Sequence, residues 1–213
     1  MLFCYHLTMD ALSFIGVLLG SSWTSGVNLY MTVALLGIAD KAHWITLPGD
    51  MKVLSNPLII VVAVALYAVE FVADKIPFVD SVWDTVHTFI RPIGGAALGY
   101  MAAANVSPAI QISVTLIAGT IAMDSHLTKA TTRVAINATA PGTNTIASVS
   151  EDALVFCVLY LAVKHPVITG VVVIALIAFS IWFLSVMFKF LKSVLCFIFA
   201  PRNPVPQSRS VHS

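Results

Sequence analysis

The chain has 213 residues, of which 59% are hydrophobic and only 10% are charged, with a formal net charge of +1. A soluble domain has about one quarter charged residues, so this composition indicates a membrane protein rather than a soluble enzyme or binding domain. The near-neutral charge, together with the lack of any Lys/Arg cluster mixed with aromatic residues, excludes nucleic acid as a partner. The three cysteines, Cys4, Cys157 and Cys196, show no metal-type spacing and are expected to be buried thiols.

In chain order, the apolar segments lie at 11–20, 27–39, 57–73, 92–104, 109–122, 153–163 and 167–190. Only the third and the last approach the roughly 20 residues that a spanning helix needs. The small, polar stretch at 20–26 is predicted to interrupt the first helix, and the stretch at 123–126 to interrupt a second one. No Lys or Arg precedes the first apolar run, so we expect the N-terminus to be retained rather than cleaved as a signal peptide.

An internal repeat joins two short sequences, KIPFVD at 75–80 and KHPVIT at 164–169. Each places a Lys at the end of a helix, a Pro just beyond, and an Asp or Thr as the next N-cap. If each half is one interrupted span followed by two helices, it crosses three times, and the second half is inverted. We therefore expect an all-α polytopic membrane protein with about six crossings, built from two inverted repeats at about 9–104 and 107–190.

The C-terminal region carries positive charge without any acid, at Lys189, Lys192, Arg202 and Arg209. The positive-inside rule then places the C-terminus in the cytoplasm of a multi-pass inner-membrane protein, and six crossings would place the N-terminus there too. We expect residues 1–200 to form a single transmembrane domain that ends in an interfacial amphipathic helix at 188–200. Residues 201–213 are predicted to be a disordered cytoplasmic tail.

A first stripe of polar residues, Asp80, Asp84, His87 and Arg91, recurs at spacings of four, three and four. These residues share one face of a helix, and ionisable groups at bilayer depth cost several kcal/mol unless they are paired or wet. The stripe therefore predicts a polar interior such as a solute pathway. The alternative is an interfacial helix whose charged face is simply in water, with Asp80 as its N-cap.

A second stripe, His126, Lys129, Arg133 and Asn137, has spacings of three, four and four and again occupies one helical face. Neighbouring threonines leave little surface suited to lipid. We expect this segment to be surrounded by protein or water. The alternative is a loop helix outside the bilayer, with Asp124 as its N-cap.

A third group consists of two acidic pairs, Glu70 with Asp74 and Glu151 with Asp152. Acids this close repel one another unless a cation, a proton or a basic side chain lies between them. A structural role in holding helices together and a role in transport are both consistent with these pairs. We further expect Arg91 and Arg133 each to pair with a carboxylate from a different segment, because an unpaired Arg in a bilayer is costly.

A metal site remains open on sequence grounds. Asp124 and His126, with His87 and either Glu151 or Asp152, supply oxygen and imidazole ligands that suit Mn, Fe or Zn. A divalent-metal transporter or channel is therefore one alternative. No catalytic motif of a known hydrolase or nucleotide-binding type is present, so we predict neither an enzyme nor a bound cofactor.

The run EFVADKIPFVDSVWDTVHTFIRP at 70–92 resembles a hallmark of a bacterial membrane family described only as a domain of unknown function. The resemblance extends over most of 11–186 and includes the second stripe and the acidic pair at 151–152. It implies a polytopic membrane fold and no particular activity. The first eight residues and the basic tail lie outside it, so Met9 is an alternative start to Met1.

Taken together, these patterns predict a secondary transporter in the lipid bilayer for a small polar or ionic solute, with His87 and His126 as titrating groups near neutral pH. A structural or accessory membrane protein is the main alternative, and a second copy of the chain is a candidate partner. The residues predicted to bind the solute are Asp84, His87, Arg91, Asp124, His126, Lys129 and Arg133, supported by Glu70, Asp74, Asp80, Glu151 and Asp152.

Overall fold

The computed structural model describes residues 2–199, and their side chains from residue 11 onward except at 141, 191 and 193–199. Within this range the fold contains α-helices and short 3-10 turns and no strand, as the sequence predicts. The helices are α1 (Leu2–Val27), α2 (Leu29–Lys41), α3 (Pro57–Ala73), α4 (Val79–Ala102), α5 (Pro108–Thr139), α6 (Asn144–Lys164) and α7 (Pro166–Phe199), with 3-10 turns at Gly49–Ser55 and Pro141–Thr143.

Several helices begin where local chemistry favours a start. The Asn56 side chain accepts a hydrogen bond from the backbone N–H of Leu58, and Pro57 occupies the first turn of α3. Proline also begins α5 and α7. Because proline has no N–H to satisfy and a backbone angle suited to a first turn, these residues fix where each helix begins.

The helices from α3 to α7 alternate in direction. Asp80 and Asn137 are hydrogen-bonded at one end of the α4–α5 pair, whereas Gly99 packs on Ala118 towards the other end. The α3–α4 connection follows Ala73, beside the C-terminal part of α5, whereas α6 and α7 connect near Gly16 of α1. The two connections therefore lie at opposite ends of the bundle.

The helices α1 and α2 form a hairpin, and the chain enters and leaves this hairpin at the same end of the bundle. Going down α1, Gly16 packs on Pro166, Gly20 packs on Ala162, and the next residue after the helix, Asn28, reaches Asp152. The chain then returns, because Leu36 and the C-terminal part of α2 line a cavity together with the C-terminal part of α6. Asn28 therefore lies at the tip of the hairpin, in the interior of the bundle.

The first predicted helix interruption is wrong in position, and the second is absent. The stretch 20–26 is helical, because its hydroxyl groups bond within α1: Ser22 Oγ to Leu18 O at 2.6 Å and Thr24 Oγ1 to Gly20 O at 2.8 Å. The break comes instead at Asn28, which has φ −151° and ψ 96°. The stretch 123–126 lies within the continuous helix α5, so the second interruption is absent.

The surface and the interior have inverted polarity relative to a soluble protein. Large apolar side chains cover the outside, with Leu58 70% exposed, Phe89 74% and Val171 66%. Ionisable side chains lie inside, with Glu70, Arg91 and Arg133 all at 0% exposure. This arrangement is typical of helices in lipid, so the protein is a membrane protein.

Length and composition identify three or four candidate membrane spans. In the described residues, α5, α6 and α7 are long and apolar enough to span a membrane, and the turn Gly49–Ser55 with α3 would add a fourth span bent by 73°. α4 is not apolar enough to qualify by composition, although it packs along α5. Six crossings and a pair of inverted repeats are therefore not confirmed.

The last helix is longer than the predicted apolar segment. α7 continues without a break through 188–199 to Phe199, and the interfacial position expected for 188–200 stays a prediction. Gly16, in the middle of α1, packs on Pro166 at the start of α7, and the two helices run in the same direction because Gly20 then meets Thr169. Residues 184–190 of α7 lie beside the C-terminal end of α5. The chain therefore enters α1 at one end of the bundle and follows α7 towards the other, whereas six crossings would bring both termini to one side. The predicted tail at 201–213 lies outside the described residues.

Candidate functional site

The interior contains a cluster of charged side chains from four helices, which we call the ion network. Its members are Glu70 and Asp74 at the end of α3, Asp84 and Arg91 of α4, Lys129 and Arg133 of α5, and Glu151 of α6. The side chain of Glu151 is 18% exposed, and all the others are at 4% or less. The charged faces of both stripes are therefore buried in protein and not exposed to water.

Arg91 connects three elements. One guanidinium nitrogen lies 2.6 Å from Glu70 Oε1, and the other lies 3.2 Å from Asp84 Oδ1. That second nitrogen also donates to the backbone oxygen of Gly26, 3.2 Å away at the end of α1. As expected, Arg91 is paired with a carboxylate from a different segment.

Lys129 occupies the centre of the network. Its ammonium group donates to Asp74 Oδ2 at 2.6 Å and to the backbone oxygen of Val27 at 3.2 Å. Glu70 and Glu151 lie at 3.5 and 3.6 Å from the same nitrogen. Three carboxylates surround one ammonium group, so Lys129 screens them from one another.

Arg133 forms the most complete set of contacts. Its Nε and one terminal nitrogen bind the two oxygens of Glu151 at 3.2 and 2.6 Å, in the two-point geometry that Arg favours. The other nitrogen donates to the backbone oxygen of Asp74 and to both oxygens of Asn144. This Arg, too, is paired with a carboxylate from a different helix.

The break after α1 supplies part of the site. The last carbonyl groups of a helix have no partner within it, and they form the negative end of the helix dipole. Here the carbonyls of Gly26 and Val27 bind Arg91 and Lys129, respectively. The interrupted backbone is therefore satisfied by buried cations, as a helix break within a bilayer requires.

Hydrogen bonds orient both histidines, and they fix the tautomer of His126. His126 Nδ1 faces a guanidinium nitrogen of Arg91 at 2.9 Å and must accept, so Nε2 carries the hydrogen and donates to Thr88 Oγ1. In His87, Nδ1 donates to the Trp83 carbonyl at 2.8 Å, and Nε2 lies 3.1 Å from the hydroxyl oxygen of Tyr30. Neither histidine forms an ion pair with a carboxylate in this arrangement.

Asp80 is buried apart from the ion network. Its oxygens accept hydrogen bonds from the amides of Asn137 and Asn144, each at 2.8 Å, and from the backbone N–H of Ser81. Because a carboxylate with several N–H donors is well satisfied, Asp80 holds α4, α5 and α6 together at this end.

Asp152 belongs to the tip of the α1–α2 hairpin. Asn28 donates to its Oδ1 at 3.1 Å, and the Tyr67 hydroxyl donates to its Oδ2 at 3.2 Å. Sequence reasoning missed Asn28, Tyr30, Tyr67, Thr88 and Asn144. A signal existed only for Asn28, which is a helix-start residue inside an apolar run.

Asp124 is not part of the ion network. It is half-buried on the side of α5 that faces α7, near Ser180, and its Oδ2 has no hydrogen-bond partner. His126 points the other way, towards Arg91. The predicted metal-ligand set is therefore not brought together, and within the described part of the chain no group of three or more His, Cys, Asp or Glu side chains could hold a metal ion.

The network contains more acid than base. Four carboxylates (Glu70, Asp74, Asp84 and Glu151) face three cations. Several buried carboxylate oxygens also lack a hydrogen-bond partner: one each on Glu70 and Asp74, and both on Asp84. Buried polar atoms are rarely left in this state, so these atoms mark where a further ligand or proton could bind.

Two cavities of the described residues lie away from this network. These peripheral cavities, of about 460 and 420 Å³, have mainly apolar linings. The first lies between α2 and α6 beside Trp44 and Lys164, and the second lies between the ends of α5 and α7. Neither cavity is lined by a residue of the ion network, whose side chains other than Glu151 are at most 4% exposed.

Comparison with known proteins gives a family but no activity. A family model described as a domain of unknown function, DUF4126, matches residues 15–186. No curated protein and no solved structure matches the chain. The matched region contains the whole ion network and both stripes. Because the match covers most of the sequence, the chain belongs to the DUF4126 family.

Proposed function

We propose that the protein is a membrane transporter for a small polar or ionic solute, and that the ion network is the core of its pathway. The observation that carries the proposal is the burial of seven ionisable side chains around a broken helix. Apolar side chains can replace buried ion pairs without loss of stability, so stability alone does not require this network. Ionisable residues inside a bilayer typically mark ion or solute pathways.

The helix break supports the same function. In many secondary transporters the solute site lies near the bilayer midplane, where a discontinuous helix exposes its backbone groups. Here the tip of the α1–α2 hairpin, at Asn28, lies beside Arg91 and Lys129. We propose that solute binds between this tip and the facing sides of α4 and α5, after the hairpin moves outward.

The helix directions are consistent with an inverted repeat in part of the chain. The α3–α4 and α6–α7 connections carry the two matching sequences, and they lie at opposite ends of the bundle. We propose that these two hairpins are related by inversion, whereas α1–α2 and α5 are not equivalent. The exposed Lys189 and Lys192 near the end of α7 favour a cytoplasmic C-terminus in an inner membrane.

A specific observation favours a second candidate, a structural membrane protein. The ion network is closed, and the two cavities do not reach it. In a transporter this closed arrangement would be one conformation of a cycle. In a structural protein it would be permanent.

Solute flux separates the two functions. The purified protein would be placed in lipid vesicles, and uptake of a panel of inorganic ions, amino acids and small organic acids would be measured with and without a proton gradient. We expect one class of solute to be taken up, and Asp84→Asn to abolish its pH dependence while the protein remains folded. Asp50→Asn, at an exposed acid outside the network, is the matched control. No flux for any solute in the parent protein would favour the structural candidate.

A further inference from the structure

The larger cavity, which we call the α2–α6 cavity, opens sideways onto the apolar outer surface of the bundle. Its volume of about 460 Å³ falls within the range of about 300–1,000 Å³ that is usual for small-molecule sites. The aromatic residues that line it, Trp44, Phe156 and Tyr160, are 71%, 53% and 54% exposed, so the cavity is reached from outside. The rest of its wall is aliphatic apart from Lys164. Such a wall suits a hydrocarbon chain.

The charged group lies at one end of the cavity. Phe156, Tyr160 and Lys164 are each four residues apart in α6, so they form one row about 12 Å long at about 1.5 Å per residue. α6 is a candidate membrane span, and it ends at Lys164. The row therefore runs from the level of the acyl chains to the level of the lipid head groups.

A second positive charge lies at the same end. α2 and α6 run in the same direction, because Asn28 just before α2 meets Asp152 in the first half of α6, and the later parts of both helices line the cavity. α2 ends at Lys41 and α6 ends at Lys164. Within the described residues neither lysine takes part in an ion pair, and the segment after α2 occupies the carboxylate of Asp40. Two such lysines favour an anionic ligand.

The backbone after α2 turns an aromatic side chain onto the cavity. His43 has φ 58°, a left-handed conformation that is uncommon for residues other than glycine. The N–H groups of His43 and Trp44 donate to the carbonyls of Asp40 and Ala39, each at 3.0 Å, in the pattern of a Schellman helix end. The chain thus forms this turn without the usual glycine, and the turn places Trp44 on the cavity wall. Tryptophan is typical of the membrane interface.

We propose that the α2–α6 cavity binds an anionic phospholipid, with one acyl chain between α2 and α6 and the phosphate group at Lys164 and Lys41. The site is separate from the proposed solute pathway, because no residue of the ion network lines it. An apolar helix of a partner protein would fill the cavity without using either lysine, so the charges favour the lipid. The second cavity has a similar volume of about 420 Å³, but no charged residue lines it.

Quenching of Trp44 fluorescence by lipids with brominated acyl chains tests the site. The purified protein would be placed in phosphatidylcholine vesicles that contain a rising fraction of brominated phosphatidylglycerol or, separately, of brominated phosphatidylcholine. The difference between the parent protein and Trp44→Phe isolates the Trp44 signal. We expect phosphatidylglycerol to reach half-maximal quenching at a fraction about fivefold lower than phosphatidylcholine does.

Variants of the lysine identify the head-group contact. Lys164→Gln should abolish the preference for phosphatidylglycerol, and Lys164→Arg, which keeps the charge, should retain it. Lys189→Gln, at an exposed lysine of α7, is the matched control and should also retain it. If Lys164→Gln does not fold, Ala39→Phe decides the question, because it fills the cavity, keeps both lysines and should abolish the preference as well.

Four results would overturn the inference. Equal quenching by the two lipids in the parent protein would show ordinary contact with the bilayer. No quenching by either lipid would show that something else, such as a second copy of the chain, covers the cavity. A preference that persists in Lys164→Gln, or one that Lys189→Gln abolishes equally, would show that the lipid is not held at Lys164.

Discussion

Arg91 of α4 and Glu70 of α3 form an ion pair of 2.6 Å in which neither side chain is exposed. Each is the other's shortest charged contact, so removal of either leaves the other with only a longer ion pair, Arg91 with Asp84 at 3.2 Å or Glu70 with Lys129 at 3.5 Å. The pair also fixes the end of α3 against the centre of α4. Its loss should therefore affect folding as well as function.

Arg91→Ala should destabilise the protein by about 3–5 kcal/mol, because it leaves Glu70 and Asp84 buried without their shared cation. Unfolding of the purified protein in lipid nanodiscs would measure this loss. Lys52→Ala, at an exposed position in the turn Gly49–Ser55, should have little effect. Equal stability of the two variants would show that Arg91 has no structural role.

Asn28→Asp should destabilise the protein although Asp is as good an N-cap as Asn. The Asn28 side chain caps α2 through the backbone N–H of Met31 and also donates to Asp152. An Asp at position 28 would keep the cap but place two carboxylates side by side, at a cost of about 1–3 kcal/mol for the lost donor alone. Asn56→Asp, at the exposed N-cap of α3, is the control and should leave the melting temperature nearly unchanged.

Gly26→Ala should prevent the normal packing of α1. A Cβ atom at this position would overlap Ser125 Oγ and the backbone oxygen of Ala122 on α5. Gly170→Ala, in α7, meets no atom within 4 Å and should gain about 1 kcal/mol through helix propensity. Opposite shifts of the two melting temperatures are expected. Similar shifts would contradict the close approach of α1 and α5.

Reporter fusions can test the direction of the chain. The chain reaches Gly16 of α1 at the end of the bundle where α7 begins, and α7 then runs towards the opposite end, so fusions ahead of α1 and after α7 should report opposite sides of the membrane. Green fluorescent protein and alkaline phosphatase would be fused in turn at each terminus. If both termini report the same side, the hairpin arrangement of α1 and α2 is wrong.

The sequence predicts the polar face of each charged helix correctly. In α4 the residues Asp80, Asp84, His87 and Arg91 are all buried, as are His126, Lys129, Arg133 and Asn137 in α5. Polar residues spaced three and four apart lie on one face of a helix, so this face can be predicted without knowing how the helices pack. Which acid meets which base depends on how the helices pack, and spacing along one chain carries no information about that.

The helix break shows where sequence reasoning failed. Glycine, serine and threonine at 20–26 suggested an interruption, yet their hydroxyl groups bond back to α1 and their small size lets α5 and α6 approach. The break at Asn28 depends on partners distant in sequence, Asp152 and Lys129, that satisfy its side chain and the preceding carbonyl. Local propensity cannot reveal such partners.

The contribution of α1 to the ion network is made by main-chain oxygens, at Gly26 and Val27. Replacing either residue with another amino acid leaves its carbonyl in the chain, so alanine scanning of α1 would report steric effects and miss the cation contacts altogether. Only a chemical change to the main chain, such as an amide-to-ester substitution that makes the carbonyl a weaker acceptor, would measure them. Side-chain mutations at Gly26 and Val27 should therefore report how closely α1 packs, and not how strongly two of the buried cations are bound.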